Sequence, residues 1–393
     1  MAQFSFPNQE AVLRNASDPL RQASLAAMAA TNRAQNLELV RRGIRGREDE
    51  WLDFAERNRI GSIAAHALLD LGHEATHDRA KELHERERGR MDVLLDELDT
   101  LAERLDREGI QLVALKNAGI ARGIFPCAGC CPMGDIDVLV DRSRFREAHA
   151  LLLEQGFHLR TRSQVEAADL EEGFKHGGTE YHKKIGDHEV WFELQWRAVA
   201  GRLIQPDREP ATSTLLERSV PIDGTKVRLL SPADNLLQVA LHTAKHSYVR
   251  APGLRLHTDV DRLVQFAPPE WSEFLGLVEG LRVKTAVYWS LVLAGILLGT
   301  PIPDEVLAPL APSQARQRVF CAWLRRADLF EPDEVKFSRL EMIGFHSVLF
   351  DDPVDLVASA VGVRREEVRW AGLPGLIRPG ISRSWDLLRR YQI

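Results

Sequence analysis

Between residues 82 and 109 the apolar positions recur every three or four residues: Met91, Leu94, Leu95, Leu98, Leu101 and Leu105. Charged side chains fill the spaces between them. This period predicts an amphipathic helix, with Gly109 as its C-terminal stop, and residues 10–108 read as helical throughout. The period then changes. "IQLVALK" (110–116) and "DIDVLV" (135–140) are short apolar runs that predict buried strands. "SRFREAHALLLEQGF" (143–157) returns to helical spacing, with Ser143 as N-cap and Gly156 as C-cap. "TEYHKKI" (179–185) and "HEVWFELQW" (188–196) alternate like strands, and Gly186–Asp187 between them is a hairpin signal. The order over 110–196 is strand, helix, strand, helix, strand, strand, which predicts a small mixed sheet.

A polar stretch with several prolines, 201–232, follows this core. Beyond it "SPADNLLQVALHTAKHS" (231–247) starts as a helix should, with Ser231 as N-cap, Pro232 at the first helical position and Asp234 in the first turn. Further helices are expected through "HTDVDRLVQF" and residues 271–299. The pattern after about residue 320 is the least readable. The expected class is therefore α+β, with a small mixed sheet between helical regions. Its divisions are an N-terminal helical region (1–108), a core (109–200), a linker and strand segment (201–230) and a C-terminal helical domain (231–393).

Composition narrows this picture in three ways. A net charge of −6 argues against a long nucleic-acid partner. The longest apolar stretch, near 285–299, is too short to span a bilayer and predicts a buried helix. The N-terminus shows no basic region followed by an apolar one, so no signal peptide is read, and a cytoplasmic location is expected.

The segment "PCAGCCPMGDIDVLV" (126–140) holds two kinds of candidate metal ligand. Cys127, Cys130 and Cys131 offer thiolates. Structural zinc needs four ligands, commonly as two pairs, but the fourth cysteine, Cys321, is nearly two hundred residues away, and no histidine is near the cluster in sequence. The cysteines therefore read first as a reduced loop, with a zinc site and an oxidised pair as the alternatives. Asp135 and Asp137 are a different case. Alternate residues of a strand share a face, so both carboxylates fall on one side and Ile136, Val138 and Val140 on the other. A solvent-facing strand end has the same D-x-D pattern. In "VWFELQW" the apolar residues Val190, Phe192 and Leu194 leave Glu193 on the opposite face. Two carboxylates on one strand and a third on another suit two-metal phosphoryl transfer.

The stretch "LVALKNAGIARGIF…PMGDIDVLVDRSRFREAHALLLEQGF…VWFELQW" resembles bacterial nucleotidyltransferase-like proteins of the DNA polymerase beta superfamily. It is most similar to a subgroup with an "LKG" turn, an "R-x-M-x-DIDLLV" strand and a later "E-L-H-W" strand. The resemblance covers roughly residues 50–300. It implies that Asp135, Asp137 and Glu193 bind Mg²⁺, as two ions, and carry catalysis. It also implies that Lys116 and the turn Asn117–Gly119, together with Gly134, face an NTP triphosphate. Three positions depart from the motif. Asn117 replaces a glycine, Cys131 an arginine and Gln195 a histidine. The first narrows the approach of phosphate to the backbone, and the second removes a bidentate donor.

Lys183 and Lys184 are candidates for phosphate or an acidic acceptor, or a solvated edge-strand pair. Trp191 shares the face of Glu193 and is a candidate for base stacking, while packing is the default for it and for Trp196. His242, His246, His257, Asp259 and Asp261 read as a polar layer between helices or as a second metal centre. Three functions remain open. The first is Mg²⁺-dependent transfer of a nucleoside monophosphate from an NTP to a small molecule, a peptide, a protein or a natural-product intermediate. The second is a weakened descendant that serves as a binding module. The third is a metal-dependent phosphohydrolase built on the 242–261 group.

Overall fold

The computed structural model describes residues 9–13, 16–72, 77–125, 127–160, 169–198, 203–204, 208–331 and 337–361. Six helices lead into the sheet: α1 (Gln9–Leu13), α2 (Pro19–Met28), α3 (Arg33–Gly43), α4 (Glu48–Arg57), α5 (Gly61–Asp70) and α6 (His77–Arg107). The apolar stripe of α6 accounts for its placement. Met91, Leu94, Leu98, Leu101 and Leu105 are each no more than 1% exposed, and burial of each contributes about 1.5–3 kcal/mol. The helix ends two residues before Gly109, which takes a φ of +67° that glycine adopts without strain.

Seven strands form one mixed sheet: β1 (Val113–Ala114), β2 (Ile136–Leu139), β3 (His158–Leu159), β4 (Gly178–Ile185), β5 (His188–Gln195), β6 (Val220–Pro221) and β7 (Arg228–Leu229). Their order is β3-β4-β5-β2-β1-β7-β6. β2 runs parallel to β5 and β1 parallel to β7, and the other neighbours are antiparallel. β4 and β5 close over Gly186 (φ +56°) and Asp187, as the hairpin signal predicts. Ile136 and Val138 are fully buried against the main core. Residues of the opposite face, including Val113, Leu115 and Leu139, share a much smaller cluster with Leu215 and Leu216 of α10 (Thr212–Arg218). One face of the sheet is thus sealed and the other only partly covered.

The remaining helices of the core are α7 (Lys116–Gly123), α8 (Phe145–Glu154) and α9 (Leu170–His176). Three details differ from the sequence-based expectation. The strand expected over 110–116 is regular only at Val113–Ala114, and Lys116 already begins α7, so Asn117–Gly119 is helix and not turn. Ser143 does not cap α8. A short 3-10 turn, Arg142–Arg144, precedes that helix, and the Asp141 carboxylate accepts the Ser143 N–H instead. A short strand and a helix, β3 and α9, fall between α8 and β4. The segment 201–230, read as linker and strand, holds β6 and β7, and β7 extends the sheet by pairing with β1.

The C-terminal helices begin with α11 (Pro232–Lys245), α12 (Arg255–Phe266), α13 (Trp271–Leu281) and α14 (Lys284–Leu298), and further helices continue to Val361. Ser231 accepts the Asp234 N–H, with Pro232 in the first turn, as expected for α11. α14 is buried along nearly its whole length, in agreement with its apolar sequence. Among the described residues no helix is long and apolar enough to cross a membrane. The expectations for the tail reach past residue 361 and lie outside the described residues.

Candidate active site

The parallel register of β2 and β5 sets Asp137 beside Glu193. Cα partners in neighbouring strands project to the same face, and here it is the less covered one. Asp135 sits two residues upstream, at the mouth of β2. One carboxylate oxygen from each of the three acids lies within 4.8 Å of the others. Lys116 closes the group. Its Nζ is 2.6 Å from Asp137 Oδ1 and 3.8 Å from Glu193 Oε2. Gln195 donates to the same Asp137 oxygen at 3.0 Å.

Electrostatics follow from this packing. The Asp137 side chain is 5% exposed. Burial, and then the adjacent Glu193 carboxylate, push its pKa up to about 7 against the pull of Lys116. Burial disfavours the Lys116 ammonium, but Asp137, Glu193 and Asp135 together outweigh that effect and hold it above the ordinary lysine range. A cation is therefore integral to the cluster even without a metal.

Backbone geometry delivers that lysine. The Leu115 N–H donates to the Asp137 carbonyl at 2.9 Å, which ties the end of β1 to β2. Lys116 then turns into α7 with φ +48°, and its own N–H donates to Gln238 Oε1. A non-glycine residue in the left-handed region costs about 1–2 kcal/mol, so the surrounding contacts hold the turn. Three residues on, Gly119 allows close packing. A Cβ there would meet the Ala114 carbonyl oxygen and Leu229 Cδ2, both at 2.7 Å.

Next to the loop that precedes Asp135 lies a cleft of about 470 Å³ whose lining includes Met133, Gly134, Arg86, Arg90 and Arg255, with Glu56 and Glu87 paired to Arg86 and Arg90. Arg90 donates to the Met133 carbonyl at 2.7 Å and so braces the loop before Asp135. Arg255 is 8% exposed and donates to Asn117 Oδ1 at 3.4 Å. The Asn117 amide in turn donates to Asp259 at 2.9 Å and contacts Cys131 Sγ at 3.6 Å. Burial, then Asp259, push the Cys131 thiol up to about 12, so it stays a neutral packing group.

The family model described as uncharacterised nucleotidyltransferase matches residues 46–299, more than half of the chain. The chain belongs to this nucleotidyltransferase family. No curated protein and no solved structure matches it.

The fold leaves several predicted residues away from the acids. Lys183 Nζ pairs with Glu97 at 2.9 Å, over the Phe157 ring. Lys184 is exposed and sits opposite Glu189. Four residues of strand, about 13 Å, separate Glu189 from Glu193. Trp191 lies against His182, with the Arg160 guanidinium over its ring. Trp196 donates to the Phe174 carbonyl. The 242–261 group disperses. His257 Nε2 bonds the Tyr248 carbonyl, Asp259 takes Asn117, and Asp261 accepts from Ala30 N and Thr300. His242 and His246 contact each other edge to face.

Three features of the site are not legible in the sequence. Glu180 lies directly across from Glu193 on β4 and is 7% exposed; strand pairing had to be known to place it there. The arginines of the cleft come from α6, α12 and the α4–α5 connection, and no local spacing links them. The third is that His66 and His84 lie beside Cys127 and Cys130.

Proposed function

We propose that the protein is a Mg²⁺-dependent nucleotidyltransferase that moves a nucleoside monophosphate from an NTP to an acceptor oxygen. The supporting observation is the convergence of Asp135, Asp137 and Glu193 within 4.8 Å on a partly open sheet face, with an arginine-containing cleft along the loop that leads into Asp135. The donor set fits Mg²⁺, being carboxylate oxygen throughout. Asp135, Asp137 and Glu193 would hold two ions. When bound, Mg²⁺ neutralises phosphate charge and clamps the attacking and leaving oxygens.

The chain's own groups do the rest. Arg90, Arg255 and their neighbours in the cleft bind the triphosphate by charge-assisted hydrogen bonds. They stand in for the motif arginine that Cys131 replaces. Lys116, released from Asp137, donates to a phosphate oxygen. Glu193, the more open acid with 32% of its side chain exposed, accepts the acceptor's proton. The acceptor oxygen bonds to the α-phosphorus as pyrophosphate leaves. The acceptor is a small molecule, peptide or protein, with a peptide or natural-product intermediate included.

One observation favours a second reading. The Lys116–Asp137 ion pair at 2.6 Å occupies a ligand oxygen, as it would in a binding module that has lost its metal. Incubation with each labelled NTP, Mg²⁺ and a cell extract separates the two. Label transfer with pyrophosphate release, absent in Asp137→Asn, supports the enzyme. NTP binding that ignores Mg²⁺, with no transfer, supports the module.

A further inference from the structure

A second polar cluster lies away from the carboxylates and has no part in the proposed transfer. Cys127 and Cys130 bracket a 3-10 turn, Ala128–Cys130, in which the Cys130 N–H donates to the Cys127 carbonyl at 3.0 Å. Such a C-x2-C turn aims both thiols the same way. The turn presses onto α6 at Gly129, where a Cβ would lie 3.2–3.4 Å from Arg88 Cβ, Cα and N. One helical turn before Arg88, His84 Nε2 faces Cys127 Sγ at 3.6 Å. From α5, His66 Nδ1 faces Cys130 Sγ at 3.1 Å. The two imidazoles meet edge to face with centroids 4.9 Å apart. One ligand atom from each of the four residues lies within 4.8 Å of the others.

We infer that His66, His84, Cys127 and Cys130 form a structural zinc site that fastens the loop before Asp135 to the α5–α6 helical pair. The donor set is Cys₂His₂. Tetrahedral zinc, with Zn–S about 2.3 Å and Zn–N about 2.0 Å, separates sulfur from nitrogen by about 3.5 Å. The His–Cys contacts already bracket that value. On binding, Cys127 and Cys130 each release a proton to solvent, and two thiolates with two neutral imidazoles leave the site uncharged. His66 also has the outer partner that zinc histidines commonly use. With Nδ1 turned to the metal, its Nε2 faces Asp70 Oδ1 at 3.5 Å, which fixes the ring and its tautomer. Soft thiolates select zinc here, and the hard oxygens around Asp137 select Mg²⁺. The four ligands close the coordination sphere, so the site holds structure and not a reactive water.

The test uses the full chain purified without a histidine tag. Elemental analysis is expected to find one zinc per chain. The Cys127→Ser/Cys130→Ser pair should lose it, while Cys321→Ser and Asp137→Asn keep it. His66→Ala and His84→Ala should each weaken zinc, measured against a chromophoric chelator, by 100-fold or more. To separate loss of metal from loss of fold in the double variant, a second measurement is made on the unaltered protein. Chelator-stripped chain titrated with Co²⁺ alone should develop the visible and thiolate charge-transfer bands of a tetrahedral sulfur-ligated ion, with saturation at one equivalent and displacement by Zn²⁺. Absence of zinc with no such bands overturns the assignment. So does a Cys127–Cys130 disulfide in freshly purified protein, or zinc that leaves with Asp137→Asn and stays in the double variant. None of these readouts depends on nucleotidyl transfer, so they stand or fall separately from the proposed function.

Discussion

Two clusters of ligand-type side chains flank the same short loop, and they are assembled by opposite means. Asp135, Asp137 and Glu193 are brought together by strand register on a sheet. His66, His84, Cys127 and Cys130 are brought together by helices packing on a turn, across sequence separations of 43 and 64 residues. Alternation along each strand is a local rule with period two, so a pattern of residues announces which face each acid takes. Helix packing is a global outcome, and no spacing announces it. The chemistry differs in the same way. The first cluster holds hard oxygens and a compensating lysine, and the second holds soft sulfur and imidazole.

The largest expected effect breaks the comparison at one end. Asp137→Asn should reduce nucleotidyl transfer on the order of 10³-fold or more, the scale of a single charge-stabilising group in a closed site, while the zinc content stays at the unaltered level. Steady-state assay and elemental analysis of one preparation check both halves. Retained transfer would make the carboxylates remnants.

A buried histidine that holds nothing sharpens the contrast. His257 is fully buried and its Nε2 bonds the Tyr248 carbonyl. Burial lowers its pKa to about 4, with the Tyr248 bond pulling the other way. A group whose folded pKa is depressed contributes stability above its unfolded value near 6.5 and loses it as pH falls. The global stability should therefore drop by up to about 3 kcal/mol between pH 6.5 and pH 4 from this residue. Urea denaturation across that window reads the loss, and His257→Gln should flatten part of the slope. An unchanged slope would show that His257 is not the group responsible.

Lys116→Met gives a smaller effect and probes the hard cluster without touching an acid. It leaves Asp137 buried beside Glu193 with no ammonium. The metal-free chain should lose about 2 kcal/mol, discounted because Lys116 is itself 20% exposed. Mg²⁺ should then raise the melting temperature more in the variant than in the parent. Equal shifts in both would mean that the lysine and the cation do not compete for Asp137.

The smallest effect concerns the lysines that the sequence nominated. Lys184→Ala should change transfer less than about twofold, since Lys184 is exposed and lies toward the hairpin end of the sheet. Lys183→Ala should cost about 0.5–1 kcal/mol of stability through its pair with Glu97, again without effect on transfer. A loss of more than tenfold in either would move the phosphate site to that end of the sheet.

What the sequence made legible follows the same division. The α6 stripe, the β4–β5 hairpin, the Ser231 cap and the polar face of each acid's own strand are stated by residues near one another, whereas the pairing that sets Asp137 beside Glu193 comes from the fold. The start of α7 was not, because Lys116 adopts a left-handed backbone that no preference predicts. Gly119 shows why a motif position and a reason are different things. The resemblance placed it at a triphosphate, and the fold adds a separate reason for glycine, since a Cβ would lie 2.7 Å from Ala114 O and Leu229 Cδ2. Asn117 and Cys131 departed from the resembled motif separately on paper. Folded, they touch each other and, through Asn117, share Asp259 and Arg255 of α12. The two departures form one buried contact, which only the fold could join.

The parallel pairing of β7 with β1 has a consequence during synthesis. Every strand that carries an active-site acid has been made by residue 195, yet the partner of Val113 and Ala114 on their other side is Arg228–Leu229. On a ribosome adding about 5–20 residues per second, the far edge of β1 waits a few seconds with its backbone groups unpaired. The order of synthesis thus completes the acid-bearing strands before the partner of that β1 edge exists, and an unpaired edge of this kind is a template for pairing with neighbouring chains.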